Sequence, residues 1–318
     1  MSRIIRSKGF RSVAVDGANH RAVVEQDPHR ATSRAAPMIL LIGATGRIGS
    51  ELVSQLAAAE ERPRILVRDS AAARQRFGER VHPIDGDLDK PETIEAALAG
   101  VDRVFVVTTQ SIHQPSWERA VIRAAARSGV DHLVKLSVFR ADEHSPLQIA
   151  RQHWQIEQEL VESGLATTIL RPVFFIQNLL AMVRGDTIAT AAGDGRVAMI
   201  DVRDIAAVAV AALTRPGHAG KTYTLTGPEA LSFDDVARIL SHQAGRRIRH
   251  MRTSADAVFT ALQASGVPAW FANDMAHLQS MLADGYEDVV TDDVHTVTGR
   301  SPHTLMQVAP DLADATSR

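Results

Sequence analysis

The chain of 318 residues carries 35 Lys and Arg against 37 Asp and Glu, and 45% of it is hydrophobic. That length can bury a substantial core, and so even a charge balance offers no basic field to phosphate backbones, so direct nucleic-acid binding is not expected. There is no cysteine, which excludes disulfides, thiolate metal sites and cysteine nucleophiles and fits a cytoplasmic location. The longest strongly apolar run, Ile205 to Leu213, is about half of the roughly 20 residues a membrane span needs, so no membrane crossing is expected.

Residues 1–37 hold seven Lys or Arg and three Asp or Glu and show no helical or strand period; they read as a disordered extension, with Met38 opening a single folded domain over 38–318. An organelle-targeting leader is the alternative, opposed by Asp16, Glu25 and Asp27. From Met38 onward, short β-rich runs at 38–42, 64–67, 81–84, 102–107, 131–137 and 166–170 alternate with amphipathic stretches at 47–60, 70–77, 91–99, 115–128 and 146–163. This is the βαβ rhythm of an α/β fold: a Rossmann-type doubly wound parallel sheet covered on both faces. From about residue 172 the rhythm loosens. One strand at 221–225 and a run of helices predict a small, mainly helical C-terminal substrate lobe.

The first strand runs straight into Gly43-Ala44-Thr45-Gly46-Arg47-Ile48-Gly49 and then into a helix. In that order Gly43 permits the tight turn, Gly46 lets backbone approach a pyrophosphate, and Gly49 lets the helix pack on the strand, its N–H groups facing the anion. Gly43, Thr45, Gly46, Arg47, Ile48 and Gly49 are therefore the expected dinucleotide loop.

The spacing is Gly-x-x-Gly-x-x-Gly, and with Leu66-Val67-Arg68-Asp69, Asp85-Gly86-Asp87-Leu88, Ser163-Gly164-Leu165, Ile169-Leu170-Arg171-Pro172, Asn178, Asp201-Val202-Arg203-Asp204-Ile205-Ala206 and Thr298-Gly299-Arg300 it resembles the NmrA-like atypical group of the short-chain dehydrogenase/reductases. The match spans most of residues 38–305. That group includes NADPH-dependent quinone and triphenylmethane-dye reductases and non-catalytic NADP sensors. The resemblance implies that Asp87 and Leu88 contact adenine and that Thr108 and Thr109 lie near the inner ribose, unless they are ordinary turn and strand-end polarity.

The residue at the end of strand two, about 20 positions past the loop, discriminates the cofactors. Here it is Arg68, whose guanidinium suits a 2′-phosphate, and Arg47 can reach the same group, so NADP(H) is favoured over NAD(H). The competing reading leaves Arg68 on the surface, paired with Asp69.

The Tyr-x-x-x-Lys pair of typical short-chain dehydrogenases is missing: Gly227 and Val290 stand four residues after Tyr223 and Tyr286. Aligning Glu157 with the family's helix glutamate puts Ile149 and His153 at the Tyr and Lys positions. Ser137 and His153 remain as catalytic candidates. Ser137 is a substrate or ribose contact or is structural, and His153 is a pocket donor or half of a surface His-x-x-x-Glu pair with Glu157. No metal-site spacing appears. Phe174, Phe175 and Asn178, with His153, are the expected substrate pocket, unless both phenylalanines are core. Asp201 and Asp204 read as caps of a helix beginning near Ile205.

The expected function is NADPH-dependent reduction of a quinone-like or other planar conjugated small molecule, which asks mainly for positioning. The alternative is a non-catalytic NADP(H) sensor acting through a protein partner. The sequence is silent on oligomeric state. Deleting residues 1–37 is expected to leave dinucleotide affinity and melting temperature nearly unchanged; a fall of many degrees in a thermal melt would refute that.

Overall fold

The computed structural model describes residues 37–316; except for Pro37, the expectation for the first 37 residues lies outside them. The alternation begins with β1 (Ile39–Ile42) and α1 (Arg47–Ala58). It continues through β2 (Arg64–Val67), α2 (Ser70–Phe77), β3 (His82–Asp85), α3 (Pro91–Leu98), β4 (Arg103–Val106), α4 (Gln114–Arg127), β5 (His132–Leu136), α5 (Gln148–Glu162) and β6 (Thr167–Pro172). The remainder adds α6 (Leu179–Met182), β7 (Val183–Arg184), β8 (Thr187–Thr190), β9 (Arg196–Val197), α7 (Val202–Thr214), β10 (Lys221–Leu225) and β11 (Leu231–Ser232). It closes with α8 (Phe233–Ala244), β12 (Arg249–Arg252), α9 (Ala255–Ala264), α10 (Ala269–Ala283), α11 (Asp293–Thr298) and α12 (Leu305–Thr316).

Seven strands form one parallel sheet in the order β10-β6-β5-β4-β1-β2-β3. All four residues of β1 are buried, because helices cover both faces and leave no polar side to alternate with. Its side chains still divide by parity. Ile39 and Leu41 join the core under α1 and α7, whereas Leu40 and Ile42 join the core under α3, α4 and α5. The strand order reverses between β1 and β4, the switch point at which a doubly wound sheet opens a crevice beyond its carboxyl ends.

After β6 the structure holds more strand than the sequence implied. β7, β8 and β12 form a three-stranded sheet, and β9 pairs with β11; strands of two to four residues are too short to show a period of two. Together with α8 and α12 they enclose a core of their own, around Phe233, Leu240, Leu282 and Leu305. Helix α8 carries a capping box between Ser232 and Asp235. Helix α7 starts three residues earlier than expected. Asp201 caps it, accepting from the Arg203 N–H at 2.7 Å, but Asp204 does not cap. One turn in, its carboxyl accepts instead from the His303 N–H at 2.8 Å and meets His303 Nδ1 at 2.7 Å, tying α7 to the C-terminal segment.

A fully buried ion pair lies inside the core. Lys135, in β5, has no exposed surface, and its Nζ sits 2.7 Å from Glu118 Oε2 of α4, which is equally buried. Removing one member of such a pair leaves an uncompensated buried charge, so Lys135→Met is expected to cost about 3–5 kcal/mol in urea unfolding, and adding Glu118→Gln should recover much of it. A double variant no more stable than the single one would show that the pair is not the source of the loss.

Candidate functional site

The glycine loop joins β1 to α1 in a space too tight for other residues. Gly43 has a φ of 86°, and a Cβ there would lie 2.0 Å from the Val107 carbonyl oxygen. A Cβ on Gly49 would lie 2.1 Å from the Gly43 carbonyl oxygen, so α1 rests directly on the end of β1. Gly46 differs: its closest protein atom would be 3.4 Å away, so protein packing alone does not demand glycine there. It is the N-cap of α1, which has no side-chain cap and no acidic residue in its first turn. The first N–H groups are thus left for an external anion, as the phosphates of a dinucleotide require.

The loop opens into a cavity of about 1200 Å³. Gly43, Thr45, Gly46, Arg47, Ile48, Gly49, Thr108, Thr109, Ser137, His153, Phe174, Phe175 and Asn178 all line it. Arg68, Asp87 and Leu88 do not. Arg68 stands exposed just past β2 and, among the described residues, makes no ion pair with Asp69, whose carboxylate is used to cap α2 by accepting from the Ala72 N–H at 2.9 Å. Asp87 accepts from the Asp89 N–H at 3.1 Å within its own turn, and Leu88 packs on the sheet core. Two arginines frame the loop: Arg47 donates to Asn178 Oδ1 at 3.2 Å, and Arg76 of α2 donates to the Thr45 carbonyl at 2.9 Å. Arg76 was not singled out from the sequence; its place in the last turn of a short helix gives no sign of that reach.

Beneath the cavity lies a buried polar chain. Thr108 and Gln114 donate to Glu118 Oε1 at 2.6 and 3.1 Å, and Lys135 donates to the Leu136 carbonyl at 2.6 Å and to His153 Nδ1 at 3.2 Å. An ammonium offers no lone pair, so Nδ1 is the acceptor and the imidazole proton resides on Nε2. Nε2 has no hydrogen-bond partner among the described residues. Burial, with the Lys135 charge beside it, holds His153 well below its ordinary pKa, so the ring is a neutral donor near neutral pH.

The His153–Glu157 pair considered from the spacing does not form. Glu157 is taken by Ser137, which donates to Oε1 at 2.5 Å, and by Arg171, which binds both carboxylate oxygens. Ser137 thereby joins β5, α5 and β6, a structural role, while the residue still lines the cavity.

The far wall comes from beyond β6. Trp270, Phe271, Met275 and Leu278 of α10 face the cavity with Phe139, Phe174 and Phe175. Asp274, buried in the same helix, accepts from the Ile149 N–H at 2.7 Å, serving as a cap for α5, which has none of its own. That bond fixes α10 over the chamber. Tyr286 and Glu287 complete the wall. Neither was expected from sequence, because the loop that holds them is placed by long-range contacts. Among the described residues no three His, Cys, Asp or Glu side chains converge on a metal position, and no helix is long and apolar enough to cross a membrane.

The model of the NmrA-like family matches residues 36–309. An NAD(P)H azoreductase from Xenophilus azovorans is 42% identical over 282 residues, covering 87% of this chain and 99% of that protein. The NADPH complex of an NADPH-dependent quinone oxidoreductase from Escherichia coli superposes with a TM-score of 0.79 at 26% identity, over 86% of this chain and 99% of that one. A triphenylmethane reductase from Citrobacter sp. complexed with NADP(H) gives 0.76 at 26% identity, over 87% and 99%. With a family model spanning the sheet and nearly all that follows it, and a relative aligned along almost its full length, the chain belongs to the NmrA-like family.

Proposed function

We propose that this chain is an NADPH-dependent oxidoreductase that reduces a planar, conjugated small molecule of the quinone or azo type. The observation that carries this reading is the single cavity of about 1200 Å³, which joins the glycine loop at one end to an aromatic chamber at the other. It exceeds the roughly 300–1,000 Å³ typical of a small-molecule pocket, as a dinucleotide lying beside an acceptor demands. Relatives named as azoreductase, quinone oxidoreductase and triphenylmethane reductase point to the same chemistry. No such observation favours the sensor.

In this reading the loop N–H groups hold the pyrophosphate, and Thr108, Thr109 and His153 line the part of the cavity that takes the ribose and nicotinamide. The cofactor supplies hydride. The protein's share is to exclude water with α10 and to hold a flat ring against Phe174 and Phe175, near-attack positioning that a readily reduced acceptor can exploit. Asp69 is committed as a helix cap, so it does not compete for a ribose 2′-hydroxyl, whereas Arg68 is exposed, with no ion pair among the described residues, and Arg47 and Arg76 flank the loop. These cations suit a 2′-phosphate.

Arg68→Ala removes a charge-assisted contact worth about 1.5–3 kcal/mol, so NADPH affinity, read by fluorescence titration, should fall about ten-fold or more while NADH affinity changes little. Equal losses for both cofactors would remove the 2′-phosphate assignment. Phe175→Ala should lower kcat/KM for a quinone or azo dye by about ten-fold, the scale of one lost aromatic contact of roughly 1–1.5 kcal/mol, with NADPH affinity within about two-fold of wild type. If NADPH binds tightly yet no quinone, azo dye or enone is reduced, the function is not reduction.

A further inference from the structure

Glu287 belongs to the lobe side of the cavity and takes no part in the glycine loop. It is 5% exposed. Its Oε2 accepts from the Phe174 N–H at 2.9 Å, and its own carbonyl accepts from the Ala198 N–H at 3.2 Å, so the residue is fixed to both strands of chain that shape the wall. Oε1 has no hydrogen-bond partner among the described residues, although the side chain lines the cavity.

No cation among the described residues forms an ion pair with it. Arg140, the cation that faces it, lies over the rings of Phe139 and Tyr286, 5.0 Å from each centroid. The other titratable groups here are Tyr286, pushed up to about 12 chiefly by burial and then by Glu287, and Asp142, which faces that tyrosine. A carboxyl buried among aromatic rings, with one N–H bond and no salt bridge, is better placed as the acid than as the anion. Burial, opposed by the Phe174 N–H and the charge of Arg140, raises Glu287 to about 7.

We propose that Glu287 is the substrate-side general acid, giving its proton to the acceptor as the acceptor is reduced. The assignment rests on the reductase reading above. The acceptor gains a hydride, and with it two electrons, at one atom of its conjugated system; the reductant is the dihydronicotinamide, oxidised to the positively charged nicotinamide (pyridinium) ring. The displaced π pair localises on the conjugate nitrogen, oxygen or carbon. The Oε1–H bond of Glu287 breaks with its electrons remaining on the carboxylate, the proton bonds to that atom, and the carboxylate is reprotonated from solvent. Such a donor suits an acceptor that presents a lone pair beside its flat ring, as azo and quinone groups do. Its site is separate from the Tyr-x-x-x-Lys positions, occupied here by Ile149 and His153.

Glu287→Gln preserves shape and an acceptor for the Phe174 N–H. In the wild type kcat/KM for an azo dye or quinone should fall as pH rises through about 7; in Glu287→Gln that limb should vanish, with a rate at least ten-fold lower at pH 6 and NADPH affinity within about two-fold. Glu287→Asp, which keeps an acid, should regain the limb and part of the rate. A second readout needs no cofactor. The native state holds this proton up to about 7 and the unfolded chain releases it near 4.5, so wild-type stability is lost as pH rises across that interval, and Glu287→Gln should gain on the wild type between pH 5 and 8 in thermal melts. A stability difference independent of pH, or a Gln variant that keeps the wild-type rate and limb, would overturn the proposal. A wild type that binds no NADPH, or binds it and reduces nothing, would overturn the reductase reading first and the proton donor with it.

Discussion

The Gly43 carbonyl occupies the place where a side chain at position 49 would begin. That contact brings α1 down onto the end of β1, and much of the site follows from it. With α1 at this depth, its uncapped first turn points past β1 into the crevice where the strand order reverses. The same turn of chain brings Arg47 to Asn178, the first residues of the far wall. A larger residue at 49 would lift the helix, and the N–H groups, the arginine and the crevice would move together. The position is one of backbone clearance, so no side chain can substitute for the missing one.

A parallel sheet covered on both faces has little room for polar groups except at its carboxyl edge, and the structure departs from that rule at Lys135. An ammonium with no exposed surface is costly unless other groups replace its water. Here Glu118 supplies charge, and the Leu136 carbonyl and His153 supply acceptors. The cost has a structural return. Because Lys135 must donate, His153 is fixed as the Nε2–H tautomer, and burial, with the charge of Lys135 beside it, keeps the ring neutral. Position 153, aligned with the Lys of the typical short-chain dehydrogenases, thus holds a buried neutral ring, and the cation beside it comes from β5.

How much of this was legible in the sequence depends on the distance between the residues involved. The glycine loop was legible because its causes are local: three glycines at fixed offsets, between a buried strand and an amphipathic helix, meet one another across six residues. The sheet was legible from its uninterrupted apolar runs. The Lys135 network left two faint marks, a lysine inside the apolar run His132–Leu136 and a glutamate on the helix stripe shared with Val121, Ile122 and Ala125, each of which reads alone as an ordinary exception. The His153–Glu157 spacing misled, since a turn of helix brings two side chains near each other but does not choose between them and partners on the sheet. Ser137 and Arg171 took the glutamate. The lobe wall was the least legible part. Tyr286 and Glu287 follow a glycine in a short loop, and only the pairing of Phe174 with that loop, more than a hundred residues earlier in the chain, turns them toward the cavity.

The two halves of the cavity answer to different constraints. The sheet half is built from backbone: glycines, helix N–H groups and strand ends, where a change of residue disturbs packing before it alters recognition. The lobe half is built from side chains, Phe174, Phe175, Trp270 and Phe271 with Glu287 among them, carried on short strands and on helices such as α10, which Asp274 ties to the α5 N-terminus. Such a wall can change residue by residue while the dinucleotide end stays as it is. A family whose members are named for azo compounds, quinones and triphenylmethane dyes is what this division allows. In the function proposed above, the acceptor would be met by side chains and the reductant by backbone, and Glu287 falls on the side-chain half.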